Sequence, residues 1–124
     1  MPADATIAAD LALDAALDRM AAGSPAEAIP HLELALTLDP THAAATHALI
    51  RALEDSGRFD EALALTHRRI AADPDDVLAY TRLSILLQRL GDIPAAEAAA
   101  SRAKILGWKH ELRSESASQV TADR

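Results

Sequence analysis

The side chains in this sequence that could do chemistry are few and scattered. The five histidines are His31, His42, His47, His67 and His110. His42 and His47 lie five residues apart, a spacing that splays two side chains on a helix and so does not converge them on one metal ion. The adjacent acids Glu54-Asp55 and Asp75-Asp76 fall where one helix should end and another begin. The second pair suits the positive end of a helix dipole, and neither supplies the spaced carboxylates of acid–base catalysis. His67-Arg68-Arg69 reads as the solvated face of a helix, with an anion-binding or acid-binding patch as the alternative. The chain has no cysteine, which excludes a disulfide scaffold, a thiolate metal site and a cysteine nucleophile. It also lacks a glycine-rich phosphate loop, an H-E-x-x-H pair and a G-x-S-x-G elbow. These residues point away from an enzyme, and neither a cofactor nor a metal is expected.

The elements that must position these side chains are helical. Of the 124 residues 30 are alanine and 18 are leucine, both strong helix formers, while valine occurs twice. No stretch approaches the ~18 uninterrupted apolar residues of a membrane span. The N-terminus carries Asp4 where a secretory signal would carry bases, so a cytoplasmic location without membrane association is expected. A net charge of −7 makes nucleic acid a poor partner. The charge is uneven: residues 1–40 carry −6, residues 41–76 carry −3 and residues 77–124 carry +2. Arginine outnumbers lysine ten to two, which a GC-rich, bacterial-like genome explains equally well.

An internal repeat organises the chain. Gly23, Gly57 and Gly91 are spaced by 34 residues. Each is followed five residues later by alanine (Ala28, Ala62, Ala96), and twelve residues after that come Pro40, Pro74 and Trp108. Ser24-Pro25-Ala26-Glu27 has the form of a capping box with proline at the first helical position. Asp92 can cap the equivalent helix of the last unit, and Asp-Pro at 39–40 and 73–74 closes a unit. Thr41, and Asp75 or Asp76, are the expected N-caps of the helices that follow. The preceding helices carry Thr46-x2-Leu49-Ile50-x2-Leu53 and Tyr80-x2-Leu83-Ser84-x2-Leu87. Aligning Leu13-x2-Ala16-Leu17-x2-Met20 with these requires a one-residue deletion in the first turn, since Met20 precedes its glycine by three residues. Each unit is then a helical hairpin that buries its apolar face only by stacking on a neighbour.

These landmarks resemble the tetratricopeptide repeat (TPR) family, whose pattern is W-x2-L-G-x2-Y, A-x3-F and P in 34 residues. The small-residue position of the family falls on Leu17, Ile50 and Ser84, and the A-x3-F pair becomes Ala28/Leu32, Ala62/Thr66 and Ala96/Ala100. The resemblance implies an all-α, three-repeat TPR solenoid of helical hairpins, a right-handed superhelix with a short C-terminal cap. Residues 1–9 would be an N-terminal extension, 10–109 the TPR domain (repeats about 10–42, 43–76 and 77–109) and 110–124 a polar tail; Lys109–Arg113 could add a helical turn and 114–124 would be mobile. It also implies a protein-interaction module or adaptor that binds a peptide or protein partner on the concave face lined by the first helices. Carried over residue by residue, that face takes Leu11, Asp14, Ala15, Asp18 and Ala21 from the first unit. The second supplies Ala44, His47, Ala48, Arg51 and Glu54, and the third Leu78, Thr81, Arg82, Ile85, Gln88 and Arg89. The main candidates among them are Asp14, Asp18, His47, Arg51, Thr81, Arg82, Ile85, Gln88 and Arg89, with pairing of Asp14 and Asp18 to Arg51 as the plain alternative. The clamp that TPR co-chaperones close on a chaperone's C-terminal carboxylate would use Asp14, Asp18, Ala48, Leu78 and Arg82; only Arg82 fits, so that specialisation is not expected.

The C-terminal end invites a second reading. Gly107 can end the final helix in a left-handed cap, with Trp108 folded back against it. That thin cap and the charge gradient together make a self-assembling scaffold unit the alternative function, a weak homo-oligomer joined head-to-tail or as a dimer through Trp108. Pro30, inside a helix, is expected to bend it locally.

Overall fold

The computed structural model describes residues 3–122, with the side chains of residues 4–117. Among these, every element is an α-helix: α1 (Ala3–Ala21), α2 (Pro25–Leu38), α3 (Ala43–Asp55), α4 (Phe59–Ala72), α5 (Val77–Arg89) and α6 (Ile93–Ala122). The all-α repeat architecture expected from the sequence is what the chain adopts. It divides into two compact units, residues 1–67 and 68–124, with the division inside α4.

The three glycines make the same turn by the same mechanism. Gly23, Gly57 and Gly91 have φ of +80°, +77° and +87°, a conformation that costs other residues energy and glycine little. In each turn the glycine N–H donates to the carbonyl three residues back, of Met20, Glu54 and Gln88 at 3.0–3.1 Å. The next N–H, of Ser24, Arg58 and Asp92, donates to Arg19, Leu53 and Leu87 at 2.8–2.9 Å. These are paired Schellman bonds, and they satisfy carbonyls that the helix end would otherwise leave unpaired. Because the bonds are in register in all three turns, the first turn carries no deletion. Leu17 therefore does not occupy the small-residue position, and it is 45% exposed. Ala16 takes that place, fully buried like its counterpart Ile50.

The residue after each glycine shows how one position adapts. Asp92 caps α6, its carboxylate accepting the Ala95 N–H at 3.2 Å. Ser24 makes no side-chain cap despite the capping-box sequence, and Glu27 instead meets Arg19 at 3.6 Å. Arg58 carries only donors, so it cannot cap; it forks onto Glu61 at 3.0 and 2.6 Å.

In the first unit α2 packs on both α1 and α3. A tight cluster of Ala9, Ala12, Ala35 and Ala45 lets the backbones approach closely, with Leu13, Leu36 and Leu38 closing around it. Ala9 is fully buried, so α1 begins within what the sequence suggested was a separate extension. Leu32 and Ile50 are the large side chains wholly inside this unit. Thr66, also fully buried, donates its hydroxyl to the Ala62 carbonyl at 2.7 Å, so it fills the family's aromatic slot without an unpaired polar atom. Pro30 is exposed on α2, where water can reach the carbonyl that its missing N–H leaves unbonded.

In the second unit α5 and α6 form a hairpin around Ala79, Leu83, Leu86, Ala96, Ala99 and Leu106. Ser84 donates to the Ala96 carbonyl across the interface at 2.8 Å, a contact that needs a small side chain at that place. The largest departure from the sequence reading is the C-terminus. Gly107 has no left-handed conformation, and α6 runs through it for 30 residues to Ala122. A glycine inside a helix costs about 1 kcal/mol, too little to end it by itself. Here the helix formers Lys109-His110-Glu111-Leu112-Arg113 follow, and Trp108 stays 57% exposed. In place of a short cap ending at Gly107, one continuous helix runs through the polar tail as far as Ala122; residues 123–124 lie outside the described residues.

Candidate functional site

The first helix of each hairpin positions the candidate binding residues, so its packing decides which of them face outward. On α5, burial of Ala79, Leu83 and Leu86 turns the other side of the helix to solvent. Leu78, Arg82, Ile85 and Arg89 follow at intervals of four, three and four residues and form one stripe, with Thr81 and Gln88 along its edge. Leu78, Thr81, Gln88 and Arg89 are exposed, and Arg82 and Ile85 are half-buried. The stripe therefore combines two guanidinium groups with two aliphatic side chains on a single rigid helix. Such a surface suits a segment bearing a carboxylate beside an apolar residue, because a planar guanidinium meets a carboxylate through two parallel hydrogen bonds. The α5 start is fixed by Asp76, whose carboxylate accepts the Ala79 N–H at 3.2 Å. Asp76 also receives Arg69 Nε at 2.6 Å, while Arg69 Nη2 reaches Asp73 at 3.2 Å. Arg69 is therefore a half-buried brace of the turn, and the sequence reading of it as solvated surface is corrected.

In the first unit the acids and bases are distributed differently. Asp14 and Asp18 are exposed on α1 in line with the exposed Leu11. His47 is half-buried on α3 and Arg51 is exposed there. Arg51 lies 3.7 Å from Asp55 one turn along its own helix, a surface pair worth about 0.3–0.5 kcal/mol. Glu54 is buried, so it does not line a binding face.

Two contributors were not foreseen. His42, in place of Thr41, caps α3: its Nδ1 accepts the Ala45 N–H at 3.2 Å. A ring nitrogen that accepts must be bare, so the proton is assigned to Nε2, which donates to Asp10 of α1 at 2.6 Å. Histidine is outside the usual N-cap set, which is why the sequence pointed to Thr41. Thr41 instead donates its N–H and hydroxyl to Asp39 at 3.2 and 2.9 Å. The second contributor is the exposed part of α6, where Ile105, Trp108 and Leu112 recur at helical spacing. That spacing was readable, but the assumed end at Gly107 hid it.

Among the described residues no group of three histidine, cysteine or acidic side chains could hold a metal ion, and no helix is long and apolar enough to cross a membrane. A family model described as tetratricopeptide repeat matches residues 19–83, half of the chain. No curated protein matches the sequence. Among solved structures, MamA is similar over 79% of this chain and 57% of its own, with a TM-score of 0.73 and 24% identity. YrrB, described as a TPR protein with an unusual peptide-binding site, is similar over 89% of this chain and 57% of its own, with a TM-score of 0.76 and 20% identity. The chain thus spans a little over half the length of these structures, and at such identities the likeness concerns the fold.

Proposed function

The chain belongs to the tetratricopeptide repeat family, and from that premise we propose that it is a non-catalytic adaptor whose first helices capture a segment of another protein. The family membership and the fold support a protein–protein interaction module. The finer reading rests on one observation, the α5 stripe in which Arg82 and Arg89 flank Ile85 with Thr81 and Gln88 alongside. The occupant it suits is an extended or helical segment of mixed character, with its acidic residues at the two arginines and an apolar residue on Ile85. The described peptide-binding site of YrrB lends support to a peptide as ligand.

Selection of displayed peptides on the full chain tests this reading. Enriched sequences are expected to pair Asp or Glu with an aliphatic residue, and their capture should be lost in the double variant Arg82→Glu, Arg89→Glu with unchanged helical circular dichroism. Enrichment of basic peptides, or capture that survives the double variant, would move recognition off α5.

A further inference from the structure

Beyond Leu106 the described surface of α6 is open to solvent. α5 covers α6 as far as Leu106, which is buried, and from Trp108 to Ser116 every residue is exposed. Residues 107–122 extend roughly 24 Å at 1.5 Å per residue. A helix of this length is marginal on its own in water. Its exposed surface is not uniformly polar. Ile105, Trp108 and Leu112 form an apolar stripe on the side opposite the α5 contact, and Arg102, Lys109 and Arg113 run along one edge of it. Residues 102–113 carry four bases against one acid.

The complementary surface lies on the same chain. On the exposed face of α1, Ile7 and Leu11 are 58% and 64% exposed, and Asp14 and Asp18 continue the same line. The helix as a whole carries four acids against one base. Two exposed helix faces of opposite charge, each with an apolar stripe that soluble surfaces rarely leave in a row, are matched in both properties.

We infer that the occupant of the α6 stripe is α1 of a second copy of this chain, Ile7 and Leu11 packing on Trp108 and Leu112 while the α1 aspartates meet the cationic edge. The contact is heterologous, because the two surfaces differ, so it propagates from copy to copy or closes a ring. An α6–α6 pair is less well matched: in the antiparallel arrangement the cationic edges would face each other. The inference is independent of peptide capture on α5.

Light scattering coupled to size exclusion on the full chain provides the test. The wild type should grow in mass with concentration, and raising salt from about 0.05 to 0.5 M should suppress that growth through screening. Trp108→Glu alone should be monomeric, and so should Ile7→Glu, Leu11→Glu. Mixed together, these two should form a one-to-one dimer, since each retains the surface that the other lacks. Leu112→Glu, far from the docked part of α6, should reproduce the Trp108 result, and circular dichroism confirms folding of each variant. A wild type that stays monomeric at all concentrations overturns the inference. Assembly lost with Trp108→Glu but kept in the α1 variant also overturns it, in favour of an α6–α6 dimer. Arg82→Glu, Arg89→Glu should assemble as the wild type does, and peptide capture should persist in Trp108→Glu, so failure of either reading leaves the other measurable.

Discussion

The turns 39–42 and 73–76 occupy the same place in successive repeats and solve one problem with opposite charges. In each the first aspartate accepts the backbone N–H two residues on at 3.2 Å, from Thr41 to Asp39 and from Asp75 to Asp73. In each the fourth residue caps the next helix through the N–H three residues later, again at 3.2 Å. The cap itself differs. His42 is a neutral acceptor whose other nitrogen donates, so its anchor is an acid, Asp10. Asp76 is an anion with a second oxygen to fill, so its anchor is a cation, Arg69. What the repeat retains is an acceptor at one point in space, and the charge of the anchoring side chain follows from the acceptor chosen. The two anchors also differ in setting: Arg69 and Asp76 are 16% and 10% exposed, whereas Asp10 is 60% exposed.

That difference in burial predicts unequal sensitivity. Asp76→Ala removes the α5 cap and leaves Arg69, largely shielded from water, with Asp73 alone. The sum of a lost cap and a lost charge-assisted hydrogen bond is about 2–3 kcal/mol, read from urea unfolding. Asp76→Asn should recover the cap but not the ion pair and fall between the variant and the wild type. If Asp76→Ala costs less than His42→Ala, the brace attributed to Arg69 is wrong.

His42→Ala should cost about 1 kcal/mol, the usual value of an N-cap, because its exposed aspartate partner can return to water. His42→Asn should retain most of the cap. Asp10→Asn should have little effect, since an amide oxygen can still accept from Nε2; a loss as large as that of His42→Ala would mean that the link between α1 and α3, and not the cap, carries the energy.

Glycine offers a second comparison with opposite signs. Gly57 and Gly107 both have open space where a Cβ would stand. Only Gly57 has a positive φ. Gly57→Ala should therefore destabilise by about 1 kcal/mol through backbone strain alone. Gly107→Ala should stabilise by up to about 1 kcal/mol, as replacement of a glycine inside a helix does, and raise the helical signal. A destabilising Gly107→Ala would restore the left-handed turn that the sequence suggested.

Much of the fold was legible because period and turn chemistry are local. The 34-residue glycine spacing marks a backbone requirement that hardly any other residue meets, and Asp76 and Asp92 are ordinary caps. The errors arose where the answer depended on distant partners. Thr41 outranks His42 on propensity, and only Asp10, 32 residues away, makes the histidine ring an effective acceptor. Arg69 looks like its solvated neighbours until the turn folds over it. Gly107 is spelled like a helix end, yet its φ is not left-handed and α6 continues through it. The candidate stripe on α5 could be placed because helical spacing alone assigns Arg82, Ile85 and Arg89 to one side.

The smallest predicted effect concerns the residue after each glycine, where Ser24, Arg58 and Asp92 differ most in chemistry. At Arg58 the hydrogen bond from the guanidinium holds the Glu61 carboxyl below its usual range, partly opposed by desolvation and aided by their charge attraction. The same bond raises Arg58, which stays protonated at every pH of interest. A carboxyl whose value is lowered in the folded chain contributes stability above its unfolded value and loses it as pH falls through the folded one. Acidification from neutrality to about pH 3, across the ordinary carboxylate range, should therefore lower the unfolding midpoint of the wild type slightly more than that of Glu61→Gln. The margin should be small, because both side chains lie in solvent, and added salt should shrink it further. Identical acid dependence of the two proteins at low salt would show that the fork between Arg58 and Glu61 leaves the stability of the α3–α4 turn unchanged.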